Sequence, residues 1–158
     1  MSRLAVAIIV VLALSAAARA ADPCRFVVLG DSRPRWGGAD KITPSVAYLR
    51  AIAEIDLLRP EFVVNVGDLI YGYGPTAKLE QQWDAFDAAT KQLRAPVYLV
   101  VGNHAVFNEE SEALYQRRHG KLWYSAEAGA CHLVVLFWQG DANDWRDASR
   151  WGRLRPAR

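Results

Sequence analysis

Apolar residues gather along the chain in four short runs, Phe26–Leu29, Phe62–Val66, Val97–Val101 and Leu133–Phe137. Each has the length of a strand and is nearly continuous rather than alternating, as expected of strands covered on both faces. Helical periodicity fills the intervals. Thr43 is a candidate cap with Pro44 at the first helical position. After it, Val46, Leu49, Ala53 and Leu57 recur at spacings of 3, 4 and 4, which predicts one buried helix face. Arg59-Pro60 ends that helix. Leu79, Trp83, Phe86 and Thr90 predict a second helix, with Leu93 near its end. A third covers Glu110–His119, where Glu109, Glu110 and Glu112 at the start and Arg117 and Arg118 at the end suit the helix dipole. The order β-α-β-α-β-α-β predicts an α/β fold with right-handed crossovers and a mostly parallel sheet. In such sheets ligands bind beyond the C-terminal ends of the strands.

A fifth apolar run, Leu4–Leu14, is of another kind. Arg3 precedes it and Ala18-Arg19-Ala20 follows, which together read as a signal peptide over residues 1–20. Its core of about a dozen residues is short of the ~20 that span a bilayer. The expectation is export to the periplasm or medium, a mature chain beginning at Ala21, and no stable membrane anchor after cleavage. Outside the cytoplasm Cys24 and Cys131, each just before a predicted strand, are candidates for one disulfide. The full chain has 158 residues, 52% of them apolar and 23% charged, which excludes disorder and leaves room for one domain. Its net charge of +2 is too mild to point to nucleic acid as a dedicated partner. That charge is uneven: residues 1–20 carry +2, residues 21–136 carry −2, and residues 137–158 carry +2. The last segment holds three of the six tryptophans, Trp138, Trp145 and Trp151, among five arginines. It reads either as a tail for an anionic surface or, preferentially, as a frame-shifted end.

The strand ends concentrate the chemistry. The first run stops at Gly30-Asp31-Ser32-Arg33, the second at Gly67-Asp68, and the third at Gly102-Asn103-His104. The glycines fall 37 and 35 residues apart, and each delivers an oxygen donor at once. Two carboxylates at one sheet edge repel unless a cation or proton lies between them. Carboxylate, amide oxygen and imidazole together suit Mn, Fe, Zn or a similar divalent ion. A lone Gly-Asp after a strand is an ordinary turn; three such endings on successive strands carry the signal.

These motifs, with the phrases Pro60–Tyr71, Pro96–His104 and Leu122–Leu136 around them, resemble the calcineurin-like metallophosphoesterases over about Phe26–Leu136. The resemblance implies a four-layer α/β/β/α sandwich, of which this chain is the N-terminal part. It implies hydrolysis of phosphate esters, monoester or diester, by a metal-bound hydroxide, with two divalent ions as cofactors. Asp31 would bind the first ion, Asp68 would bridge, Asn103 would bind the second, and His104 would protonate the leaving group or stabilise the pentavalent phosphorus. Where the family usually has Asp-x-His, the third position here is Arg33, which cannot ligate a metal but suits a substrate phosphate oxygen. Ala105 stands where an acidic residue would orient the imidazole. The later Gly-His-x-His is missing, since the three histidines are His104, His119 and His132. His119 reads as a capping or surface residue and His132 as structural. The chain thus reads as C-terminally truncated, its activity open. Two alternatives remain: a non-catalytic relative, and a GDSL-type serine esterase with Ser32 as nucleophile. Tyr71-Gly72-Tyr73-Gly74 is a candidate substrate-side loop.

Overall fold

A computed structural model of the protein describes residues 23–34 and 41–137. The proposed signal segment and the Trp/Arg-rich tail from Trp138 onward lie outside the described residues. The elements run β1 (Phe26–Gly30), α1 (Val46–Leu58), β2 (Phe62–Val66), α2 (Thr76–Thr90), β3 (Val97–Val100), α3 (Glu109–His119), β4 (Tyr124–Ala128) and β5 (Cys131–Val135). Strands β1, β2 and β3 form a parallel sheet in that spatial order, with Phe26 opposite Phe62 and Val63 opposite Val97. Sequential order with right-handed crossovers puts successive helices on the same side of the sheet. Accordingly Val27, Leu29, Val63, Val97 and Leu99 point into one core with Tyr48, Ile52 and Ile55 of α1, Leu79, Trp83 and Phe86 of α2, and Leu114 and Tyr115 of α3.

The fourth apolar run does not join this sheet. It lies in β5, antiparallel to β4 across the Gly129-Ala130 turn, in a separate two-stranded sheet. A parallel partner needs a crossover of a dozen or more residues, whereas Tyr124–Ala128 is a neighbour reached by a tight turn. The hairpin lays Ala128, Cys131 and Leu133 over Phe62, Val64, Tyr98 and Val100. Burial on both faces, expected for every strand, holds for Phe62–Asn65 but fails for β1, where Phe26 and Val28 are 49% and 53% exposed.

Helix α1 also departs from expectation. Its cap is Ser45, whose Oγ accepts from the Tyr48 N–H at 3.1 Å, rather than Thr43. Its buried face is Tyr48, Ile52 and Ile55, while Val46, Leu49 and Leu57 face outward. Both stripes are apolar, so periodicity alone could not choose. Tyr48 decides it, because its ring stacks on Phe86 at 5.8 Å and its hydroxyl meets Thr90 Oγ1 at 2.8 Å. Helix α3 starts one residue earlier than expected, behind a capping box in which Asn108 Oδ1 accepts from the Ser111 N–H and Ser111 Oγ accepts from the Asn108 N–H. Its acidic first turn and basic last turn are as the sequence reads.

His119 is neither a cap nor a surface residue. The Gly120 N–H closes the helix on the Gln116 carbonyl, and the imidazole packs on Trp83 at 4.7 Å and Tyr115 at 5.1 Å. Burial holds its pKa below the ordinary histidine value, with Asp87 opposing that shift and Arg118 adding to it. His132 is an exposed residue of β5 whose Nδ1 lies 2.6 Å from Glu127 Oε1, its cross-strand partner. Cys24 and Cys131 are free thiols. Cys24 lies against the start of β5, where a hydrogen bond with Cys131 and burial push its thiol up to about 11.

Candidate functional site

The three glycine-ended strands deliver their motifs to one edge of the sheet, and backbone bonds tie the loops together. The Arg33 N–H donates to the Asp68 carbonyl at 2.9 Å, and the Gly67 N–H donates to the Val100 carbonyl at 2.8 Å. Gly102 makes close approach possible, because a β-carbon there would stand 2.7 Å from the Asp68 nitrogen. Asp31 and Asp68 both hold left-handed backbone, at φ 54° and 46°. That conformation costs on the order of 1 kcal/mol at a non-glycine position and recurs where a side chain must be aimed at a site.

Asp68 is the hub. Its Oδ2 accepts from Arg33 Nε at 2.8 Å and lies 3.8 Å from His104 Nε2. Arg33 Nε also stands 3.9 Å from Asp31 Oδ1. One guanidinium thus lies between the two carboxylates that the sequence places at this edge. Asp31 is the outer member, with its side chain 80% exposed, against 21% for Asp68.

The imidazole of His104 has an orienting partner despite Ala105, which is buried in the main core. The partner is a backbone carbonyl: His104 Nδ1 lies 2.6 Å from Tyr71 O. A carbonyl only accepts, so Nδ1 carries the proton and Nε2 is the nitrogen that faces Asp68. Gly72 makes this contact possible. It holds φ 72°, and a β-carbon there would collide with the His104 carbonyl oxygen. The Tyr71–Gly74 loop is therefore part of the site. Tyr71 is buried, while Tyr73 is exposed, crosses the His104 ring at 4.9 Å, and accepts from Asn103 Nδ2 at 3.2 Å. Asn103 is thereby held with its amide nitrogen turned to Tyr73 and its oxygen left for another partner. Sequence reading found the loop but not these roles; the tyrosine between two glycines was the available signal.

Ser32 lies at the other extreme. It is fully buried, and its Oγ donates to the Leu69 carbonyl at 3.0 Å and accepts from Asn65 Nδ2 at 3.4 Å. No histidine reaches it among these bonds. Its job is to join β1 to β2, and the serine-esterase alternative loses its nucleophile.

For a divalent ion, the donors present are of the right kind and fall short in number. Asp31, Asp68 and the Asn103 oxygen suit one ion, with His104 Nε2 facing Asp68 beside them. Among the described residues no three His, Cys, Asp or Glu side chains gather as a ligand group. Asp68 Oδ2 is already engaged by Arg33. The donor types therefore suit a single ion in competition with Arg33, and among the described residues they do not complete a two-ion centre.

Comparison with family models gives one match, described as calcineurin-like phosphoesterase, over residues 24–151. The matched span includes every strand and helix above and runs into the Trp/Arg-rich segment that sequence reading set apart. A search of curated proteins finds no match.

Proposed function

Because the chain belongs to the calcineurin-like phosphoesterase family, we propose that it hydrolyses phosphate esters in a metal-dependent reaction at the loops ending β1, β2 and β3. The observation that carries this reading is the aim of His104: Nδ1 is fixed on the Tyr71 carbonyl and Nε2 faces Asp68. Asp31, Asp68 and Asn103 are the residues that would hold a divalent ion, Mn, Fe or Zn by donor type. A bound ion supplies Lewis-acid polarisation and charge neutralisation at phosphorus. His104, when protonated, presents an Nε2–H that can be given to the departing ester oxygen. Asn103, steadied by Tyr73, keeps its oxygen toward the site, and Arg33 grips a non-bridging phosphate oxygen through charge-assisted bonds.

The test is hydrolysis of p-nitrophenyl phosphate and bis-p-nitrophenyl phosphate with Mn, Fe or Zn added. Asp68→Asn should abolish turnover, and His104→Gln should lower kcat by roughly 100-fold or more with little change in KM. Chelation should silence the wild-type protein. A second reading, a phosphate-ester-binding domain without turnover, is favoured by the Arg33–Asp68 pair and the short donor set. It prevails if phosphate binds while no ion supports hydrolysis. We further propose export, supported by Arg3, the apolar run and Ala18-Arg19-Ala20. Amino-terminal sequencing of secreted protein should begin at Ala21.

A further inference from the structure

We propose that Arg33 is the site's resident cation: its guanidinium holds the Asp68 carboxylate in the ion-free protein, yields it to a divalent ion, and is thereby released to bind a phosphate group. The proposal rests on the reading of Asp68 as an ion donor. It goes beyond that reading by making ion binding and phosphate binding one coupled event.

Four observations carry it. Arg33 Nε lies 2.8 Å from Asp68 Oδ2 and 3.9 Å from Asp31 Oδ1, so a single positive group answers both carboxylates. Its stem is fixed, because the Arg33 backbone N–H is bonded to the Asp68 carbonyl at 2.9 Å. The guanidinium can therefore leave Asp68 without leaving the site. The side chain is 23% exposed, enough to swing outward. Finally, the same Oδ2 lies 3.8 Å from His104 Nε2, so the atom that Arg33 occupies is also the one that the imidazole faces.

Electrostatics sets the consequence. A guanidinium is a permanent cation with five N–H donors and no lone pair to offer a metal. An ion arriving at Oδ2 meets both a hydrogen-bonded acceptor and a like charge, and so competes with Arg33 for the carboxylate. Once displaced, the guanidinium is an unpaired fork beside a bound cation, an arrangement that suits the oxygens of a phosphate. Ion and phosphate should then bind with positive cooperativity, since each removes a cost otherwise borne by the other.

The experiment measures free Mn²⁺ by electron paramagnetic resonance during titration of wild-type and Arg33→Met protein, with and without inorganic phosphate. Without phosphate, Arg33→Met should bind Mn²⁺ more tightly, on the order of tenfold. With phosphate, wild-type affinity should rise while that of Arg33→Met stays nearly level. Arg33→Lys, a point charge without the fork, should fall between. In the wild-type protein alone, Mn²⁺ should speed phenylglyoxal modification of Arg33, read by mass spectrometry, and adding phosphate should suppress it. This holds the proposal to account even if Arg33→Met folds poorly. Equal or weaker Mn²⁺ binding by Arg33→Met overturns it, as does phenylglyoxal labelling indifferent to Mn²⁺, or an absence of Mn²⁺ binding in both proteins. Turnover is not the readout. A protein that shows the competition but hydrolyses nothing refutes the proposed function alone, and an active protein whose Mn²⁺ affinity ignores Arg33 refutes this inference alone.

Discussion

The two faces of the parallel sheet come from the same alternating strands and are finished differently. On the helical side, Val27, Leu29, Val63, Val97 and Leu99 meet three helices, and Trp83, Phe86 and Tyr115 fill the space between them. Trp83 touches Phe86, Tyr115 and His119 with ring centroids 4.7–5.6 Å apart. On the other side, among the described residues, a single hairpin covers Phe62 and Val64, and Phe26, Val28 and Val66 are exposed. The difference teaches where cooperativity resides. The helical side binds every crossover to the strands that carry the site, whereas the hairpin side adds a partial lid over β2 and β3.

The comparison is open to attack in order of expected effect. Trp83→Ala should cost about 3–5 kcal/mol, seen as a lowered urea midpoint; a cost under 1 kcal/mol would break the claim that this ring organises the helical face. The next probe is α1, where Ile52→Ala should cost about 2–5 kcal/mol and Leu57→Ala, 80% exposed, should stay within about 0.5 kcal/mol. The reverse ranking would restore the face read from periodicity. A smaller effect should come from pH. The folded-state pKa of His119 is lowered chiefly by burial, so below 6.5 the unfolded chain takes up a proton that the folded chain refuses. Its contribution is full above that value and is lost as the pH falls toward the folded-state value. His119→Gln should therefore flatten the decline in urea midpoint between pH 7 and pH 5.5, and an unchanged slope would show that the ring is solvated. The smallest effect belongs to the opposite face. Val28→Thr should change stability by no more than about 0.5 kcal/mol, and a larger loss would mean that something covers β1.

The same contrast explains what could be read in advance. The strands were legible because their apolar runs end in glycine plus a polar residue, and that grammar also located Asp31, Asp68, Asn103 and His104 at one edge. The face of α1 was not legible, because Val46-Leu49-Leu57 and Tyr48-Ile52-Ile55 are equally good stripes. Their choice depends on Phe86 and Thr90, some forty residues away in sequence. The orienting group of His104 was not legible either: a backbone carbonyl leaves no mark at Tyr71, and the legible kind, an acidic residue beside the histidine, is replaced by Ala105. The fate of Leu133–Phe137 turned on local against distant pairing, which strand length cannot settle. Ser32 misled because its hydroxyl is chemically suited to two roles, and only its burial between β1 and β2 separates them.

The strand register has a kinetic consequence. In the hairpin, Ala128 pairs with Cys131, three residues away, whereas Phe26 pairs with Phe62 and Val63 with Val97, 36 and 34 residues away. Closing chain segments of that length costs entropy before the pairings return anything. Asp31, Asp68 and His104 come from successive strand ends, so they meet only when both crossovers have closed. A collapsed intermediate with its helices and hairpin in place but one crossover open would have most of the secondary structure and no assembled site. Refolding followed by circular dichroism should therefore run ahead of refolding followed by binding of the ion proposed above.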